Sequence, residues 1–156
     1  QQSIVWNIFM GKELKYPFGF IRDKEQITEA NRLIREIGFT SKLINAESPV
    51  GNLSGGERQG VAIARAIYNN AELIILDEPT NNLSLNETQK VFDFVLNVKK
   101  SNRSVLFIGH NIYHVYDISD RFVILDRGEV VHHLNKEDIQ SPEELMKIMR
   151  DTIKSH

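Results

Sequence analysis

Two short segments of the sequence combine residue types that suit phosphate and metal chemistry. In the first, residues 53–59 (LSGGERQ), a serine and two glycines precede a helical pattern. The free backbone N–H groups at such a helix start, together with the positive end of the dipole, favour a bound phosphate. The candidate cofactor-binding residues of this segment are Leu53, Ser54, Gly55, Gly56 and Glu57.

The second segment, residues 73–78 (LIILDE), is a short apolar run that ends in two carboxylates. A run of this length without polar alternation predicts a strand buried on both faces. Pro79 stops the strand at once, so Asp77 and Glu78 lie at its carboxyl end, where ligand sites collect in parallel sheets. Carboxylates in that position can hold Mg²⁺ and polarise a water molecule.

Each candidate also has a purely structural interpretation. Ser54 and Glu57 have the spacing of a capping box, which stabilises a helix by roughly 1 kcal/mol without any ligand. Consecutive glycines weaken a helix unless another group approaches its backbone closely, so Gly55 and Gly56 favour contact with a phosphate. Two carboxylates after a strand can be a solvated pair, and a lone histidine such as His110 is more often structural than catalytic.

Three motifs, in order along the chain, resemble those of the nucleotide-binding subunit of an ABC transporter. Residues 53–59 resemble the ABC signature, and residues 73–78 resemble the Walker B strand with its catalytic glutamate. His110 resembles the switch histidine. The resemblance implies ATP and Mg²⁺ as cofactors, Asp77 as the Mg²⁺ ligand, and Glu78 and His110 as catalytic residues. It implies an α/β fold of the P-loop NTPase (RecA-like) class, with a parallel sheet and an N-terminal helical subdomain.

The resemblance covers only the second part of a family subunit. No G-x-x-x-x-G-K-[ST] phosphate loop occurs in the sequence, and residues 51–56 match only its glycine spacing. We expect the phosphate loop, the adenine-stacking aromatic residue and an antiparallel subdomain to precede Gln1. Whether Gln1 or Gln2 is the glutamine-loop residue stays open. Ser84 stands where family members often have the D-loop aspartate, and we keep it as a candidate cofactor-binding residue that caps the next helix.

Residues 78–84 (EPTNNLS) and 109–115 (GHNIYHV) look most like the ATPases of sugar importers. That resemblance implies two ATPase subunits that sandwich two ATP molecules, bound to transmembrane permease subunits on the cytoplasmic side of the cell membrane. Two other interpretations are a soluble ABC ATPase of non-transport type and an ABC-like interaction module that does not hydrolyse ATP. Co-purification with a permease separates the first from the second, and measured hydrolysis separates the third.

The composition restricts these alternatives. The 156 residues are 41% hydrophobic and 26% charged, as in one soluble globular domain. The net charge of −2 gives no reason to expect nucleic acid as a partner. Cysteine is absent, which excludes disulfides and thiolate metal sites. No apolar run reaches the length of about 18 residues that a membrane-spanning helix needs.

Periodicity predicts a helical region followed by alternating strands and helices. We predict helices that start at Ser3, at Asp23 (with Gln26 as its capping-box partner) and near Lys42, and later ones that start at Ser54 and Ser84. Further helices are expected near residue 112 and from Ser141. Strands are expected at residues 73–76, 104–108 and 121–125, with a hairpin turn at residues 126–129.

These elements divide the chain into three predicted parts. They are a helical subdomain that couples to membrane subunits (residues 1–52), a RecA-like core (53–140) and a C-terminal helix (141–156). Family architecture places the phosphate-loop strand between the strands at residues 104–108 and 121–125. We therefore expect an incomplete sheet and an inactive chain when these residues are taken alone.

Overall fold

The computed structural model describes residues 2–154, with side chains through residue 152, so Gln1 lies outside the described residues. The chain divides into two compact units, the first ending at Ile108 and the second beginning at Gly109. The helices are α1 (Ile4–Phe9), α2 (Asp23–Glu36), α3 (Gly55–Tyr68), α4 (Leu85–Lys100), α5 (Ile112–Tyr116) and α6 (Pro142–Lys154). The strands are β1 (Leu73–Asp77), β2 (Ser104–Ile108), β3 (Arg121–Asp126) and β4 (Glu129–Asn135). Short 3₁₀ helices cover Val50–Asn52 and Lys136–Asp138.

The core of the first unit lies where α3 packs against α1, α2 and α4. Each helix turns an apolar stripe inward because its apolar residues recur at spacings of three and four. Phe94 of α4 stacks on Phe39, with ring centroids 5.3 Å apart. The buried residues of α4 are Thr88, Val91, Phe94, Val95 and Val98. This packing makes α3 and α4 a fixed pair, and both helices start beside the predicted site.

Two predictions for the helical region are wrong. Asp23 and Gln26 form no capping box: Arg22 is the N-cap of α2, and the Gln26 side chain accepts a hydrogen bond from Leu14 N at 2.8 Å. Gln26 is buried, so tertiary contact with the preceding loop outweighs local capping.

The segment near Lys42 forms turns instead of a helix. Carbonyl groups in and beside this segment accept hydrogen bonds from a side chain instead of from backbone N–H groups of a helix. The Arg35 guanidinium donates to the carbonyls of Phe39, Ser41 and Ile44. The exposed guanidinium of Arg35 thus organises this loop.

The two strands of the first unit form a parallel ribbon with one covered face. β1 pairs with β2 from Leu73↔Ser104 to Asp77↔Ile108. Ile74 is 5% exposed, whereas Ile75, on the other face, is 60% exposed. The prediction that β1 is buried on both faces is therefore wrong for this chain. The reason is that the described helices of this unit cover only the face that carries Ile74 and Leu76.

The second unit is built on an antiparallel hairpin. β3 pairs with β4 from Arg121↔Asn135 to Asp126↔Glu129. Arg127 and Gly128 have φ values of 48° and 86°, as a type I′ turn requires, so the predicted hairpin turn is confirmed. The buried cluster of this unit contains Phe122, Ile124, Ile139 and Leu145.

The two strand pairs are separate two-stranded sheets. Among the described residues, β2 and β3 are not paired with each other. Over residues 2–154, no helix combines the length and the apolar character needed to cross a membrane.

Candidate functional site

The predicted phosphate-binding turn is the N-terminus of α3, and it is closed by a complete capping box. Ser54 is the N-cap, and its Oγ accepts a hydrogen bond from Glu57 N at 3.3 Å. In return, Glu57 Oε2 accepts one from Ser54 N at 3.0 Å. Leu53 is buried beneath the turn, and its carbonyl accepts a hydrogen bond of 2.7 Å from Arg58. The structural interpretation of this segment as a capping box is therefore confirmed.

The glycines of the turn lie against the start of α4. A Cβ atom on Gly55 would lie 2.4 Å from Leu83 Cδ2, and one on Gly56 would lie 2.6 Å from the backbone oxygen of Glu87. The group that approaches this backbone closely is thus part of the same chain. The two glycines do not by themselves require a phosphate, which corrects the argument made from the sequence.

Ser84 caps α4 with a second capping box. Its Oγ accepts a hydrogen bond from Glu87 N at 3.4 Å and donates one to Glu87 Oε2 at 2.9 Å. Glu87 Oε1 reaches across to α3, where it accepts a hydrogen bond from Gly55 N at 2.7 Å. Hydrogen bonds from the backbone and the hydroxyl of Ser84, and then from Gly55 N, hold the pKa of Glu87 below its ordinary value.

An ion pair also links the two helices. Lys90 Nζ on α4 donates to Glu57 Oε1 on α3 at 2.7 Å. Burial raises the pKa of Glu57, but hydrogen bonds from Lys90 and Ser54 outweigh that effect and leave the pKa below its ordinary value. The starts of α3 and α4 are therefore one hydrogen-bonded assembly.

The predicted metal ligand Asp77 and the predicted catalytic residue Glu78 lie at the end of β1. Asp77 is the last residue of β1, and both Asp77 and Glu78 are exposed. Glu78 N donates to Ile108 O at 2.9 Å, which ties this end of the strand to β2. Glu78 has a φ of 45°, in the left-handed region that non-glycine residues seldom adopt. Such strained backbone is concentrated at functional sites.

The turn after β1 also orients the Glu78 side chain. The Asn81 side-chain amide donates a hydrogen bond to Glu78 Oε2. The same turn is closed by Asn81 N, which donates to Glu78 O at 3.1 Å. Glu78 is thus held by both its backbone and its carboxylate.

The carboxylate oxygens at this strand end are of the donor type that Mg²⁺ prefers. Mg²⁺ is commonly bound through one or two carboxylate oxygens, with substrate phosphates and water as its other ligands. Asp77 and Glu78 supply such oxygens. Over the described residues, no group of three or more His, Cys, Asp or Glu side chains is placed to hold a metal ion. The chain therefore offers part of a coordination shell rather than a closed metal cage.

The structure brings several of the predicted residues of the first unit together. Gly55, Gly56 and Glu57 contact the start of α4, which Ser84 caps. Asp77 and Glu78 share the end of β1. His110 is exposed and follows β2 by two residues, at the start of the second unit.

Sequence reasoning missed Lys90 and Asn81, and it recognised Glu87 only as the capping-box partner of Ser84. Ser54/Glu57 and Ser84/Glu87 repeat the same S-x-x-E spacing. Spacing along the chain predicts each cap separately, but it cannot predict that the two caps meet in space.

Known proteins resemble this chain in sequence over most of its length. The family model described as ABC transporter matches residues 2–81, just over half of the 156 residues. The xylose/arabinose import ATP-binding protein of Sulfolobus acidocaldarius is 40% identical over 94% of the chain, which covers 57% of that protein. The ribose import ATP-binding protein of Shigella dysenteriae is 32% identical over 94% of the chain, which covers 29% of that protein.

Solved structures give the same fold. One is a dimeric ATP-binding cassette in a post-hydrolysis state, bound to ADP and phosphate, with a TM-score of 0.65 and 25% sequence identity. The match covers 86% of the present chain and 57% of the cassette chain. A second ATP-binding cassette of an ABC transporter has a TM-score of 0.73 at 20% sequence identity. That match covers 94% of the present chain and 62% of the second cassette chain. The chain thus spans at most 57% of the length of the curated relatives cited here. On the family match and the fold together, the chain belongs to the ABC transporter family.

Proposed function

We propose that the protein is an ATP-hydrolysing subunit that drives ABC-type import of a small solute, and that the solute is a sugar. Two relatives that match 94% of this chain support the solute class, since they are import ATP-binding proteins for xylose/arabinose and for ribose.

The end of β1 is the single observation that carries the proposal. Glu78 is held there in a left-handed backbone conformation, and Asn81 fixes its carboxylate. We assign Glu78 as the residue that orients or deprotonates the attacking water, and Asp77 as the Mg²⁺ ligand beside it. His110, which follows the neighbouring strand, is the second proposed catalytic residue. Bound Mg·ATP supplies the phosphoanhydride bond that is cleaved.

The turn at the start of α3 has a separate proposed role. Ser54, Gly55 and Gly56 complete the site that the phosphate loop of a second ATPase subunit forms. Leu53 and Glu57 hold that turn in shape, and Ser84 fixes the start of α4 against it. Two copies of each half-site then enclose two ATP molecules.

The parts of the chain have corresponding proposed roles. Residues 1–52 couple the ATPase to transmembrane permease subunits, residues 53–140 form the core that carries the site, and residues 141–156 add a C-terminal helix. The protein is then cytoplasmic and peripheral on the cell membrane, and nucleic acid is not a partner.

The test uses the intact protein that contains this chain. It should hydrolyse ATP only with Mg²⁺, co-purify with a permease and hydrolyse faster when that permease is supplied with its sugar. Hydrolysis without any permease partner would favour a soluble ABC ATPase of non-transport type. An intact protein that binds ATP without turnover would favour an interaction module.

A further inference from the structure

Glu87 divides its two carboxylate oxygens between two helices. Oε2 accepts hydrogen bonds from Ser84 N at 3.0 Å and from Ser84 Oγ at 2.9 Å, which caps α4. Oε1 accepts the hydrogen bond from Gly55 N at 2.7 Å, at the start of α3. A capping box uses only the first of these sets of contacts. The contact with Gly55 is therefore additional to the local role of Glu87.

Gly55 N–H is also a group that the proposed function assigns to a phosphate. As the first residue of α3, Gly55 has no partner for this N–H within the helix, and the positive end of the dipole lies there. Glu87 therefore places a negative charge where a phosphate would bind. Two anions cannot share one N–H group without mutual repulsion, so one must leave as the other arrives.

The surrounding contacts restrict how Glu87 can leave. Lys90 and Glu57 join α4 to α3 with a 2.7 Å ion pair. A Cβ on Gly56 would lie 2.6 Å from the Glu87 backbone oxygen, so the two backbones are already in close contact. Because the helix starts are held together, release of Gly55 N–H requires rotation of the Glu87 side chain rather than movement of α4.

We propose that Glu87 is a positioning residue whose carboxylate competes with the γ-phosphate of ATP for the backbone N–H group of Gly55. It thereby sets the ATP concentration at which the second half-site closes on the nucleotide. This inference rests on the proposed function, because it takes the α3 turn as a phosphate contact.

The test compares Glu87→Gln with the wild-type intact protein. The amide oxygen of glutamine can replace either Oε1 or Oε2 but not both, so this change removes the charge and one set of hydrogen bonds while keeping the size of the side chain. The Mg·ATP concentration for half-maximal hydrolysis should fall about twofold to fivefold at low ionic strength, as for the loss of one exposed charge interaction. The maximal rate should stay within about twofold, since the proposed catalytic residues are untouched.

Two further measurements separate this role from simple capping. The difference in half-saturation should shrink at about 0.5 M salt, because salt screens exposed charges. Without nucleotide, the Gly55 amide proton resonance should move upfield in Glu87→Gln, since a neutral amide is a weaker acceptor than a carboxylate.

Glu144→Gln is the matched control. Glu144 caps the start of α6, where its Oε2 accepts from Gln140 N at 2.7 Å. This variant should lose a similar amount of helix stability and keep the wild-type half-saturation and the wild-type Gly55 resonance.

The outcomes distinguish the inference from the function on which it rests. If Glu87→Gln has unchanged half-saturation at low salt, or if Glu144→Gln shifts it equally, the role of Glu87 is refuted. A Glu78→Gln variant measured in parallel tests the function itself. Full ATP turnover by that variant would overturn the proposed catalytic site, whatever Glu87 does.

Discussion

The start of α3 and the end of β1 carry the two halves of the proposed site, and they are built in opposite ways. At α3, the hydrogen-bonding groups of the turn are engaged by residues of the same chain, namely Glu57 and Glu87. At β1, the carboxylates of Asp77 and Glu78 are exposed. Residues that a sequence motif assigns to ligand binding can therefore also connect two helices within the fold. Substitutions at α3 should first affect stability, whereas those at β1 should first affect chemistry.

The sharpest test of this contrast is Glu78→Gln in the intact protein. ATP hydrolysis should slow by about 10²–10⁴, the range for loss of a general base. The midpoint of urea denaturation should change little, because the carboxylate is exposed and a glutamine can still accept from Asn81. Steady-state phosphate release together with urea denaturation measures both effects. A variant that loses stability but keeps its turnover would reverse the contrast.

The glycines of α3 provide the next test. Gly56→Ala should destabilise the fold by about 1–3 kcal/mol, since its Cβ would meet the rigid backbone of Glu87. Gly55→Ala should cost less, because the nearest atom belongs to the Leu83 side chain, which can rotate, and alanine favours a helix by about 1 kcal/mol over glycine.

Urea denaturation of the two variants gives the comparison directly. If both glycines served only a phosphate, both alanine variants would be at least as stable as the wild type. Equal stability of the two would contradict the packing described here.

The two serine caps should show a smaller effect. Ser54→Ala and Ser84→Ala should each cost about 1 kcal/mol of stability. Ser84→Ala should cost the more of the two, because the Ser84 hydroxyl both accepts from Glu87 N and donates to Glu87 Oε2. Thermal denaturation of both variants under one set of conditions ranks them, and the reverse order would mean that the second contact of Ser84 contributes nothing.

The smallest expected effect is a pH dependence of the free energy of unfolding, caused by Glu57 and Glu87 at the contact between α3 and α4. The pKa values of Glu57 and Glu87 are both lowered in the folded chain. A carboxyl with a lowered pKa stabilises the fold above its unfolded pKa of about 4.3, and this contribution is lost as the pH falls through the folded value.

The stability advantage of the wild type over Glu57→Gln should therefore be constant near neutral pH and shrink below about pH 4.5. Urea midpoints measured at several pH values check this trend. An advantage that grew on acidification would mean that the ion pair of Glu57 with Lys90 does not lower the pKa of Glu57.

Sequence reasoning worked where the signal was local. The caps at Ser54 and Ser84 and the turn at Arg127 depend on a few neighbouring residues, and the structure has all three. It failed at Gln26, where a buried contact with Leu14 replaced the predicted cap.

Long-range contacts explain why the remaining predictions from the sequence were wrong or incomplete. The glycine pair was correctly identified as a place of close approach, but only the fold could reveal that Leu83 and Glu87 make that approach. Likewise, the apolar run of β1 predicted two buried faces, and the coverage of a face depends on neighbours that the run itself does not encode.

The parallel pairing of β1 with β2 has a consequence for the order of folding. Leu73 pairs with Ser104 only after the chain between them, including all of α4, has crossed over, whereas the β3–β4 hairpin closes through the two residues Arg127 and Gly128. A hairpin of that kind can form within about 1–10 μs, but a crossover must first meet the entropy of closing a long loop. The bond from Glu78 N to Ile108 O can form only after that crossover. The end of β1 should therefore be among the last parts of the chain to become ordered, and its amide protons among the later ones to gain protection during refolding.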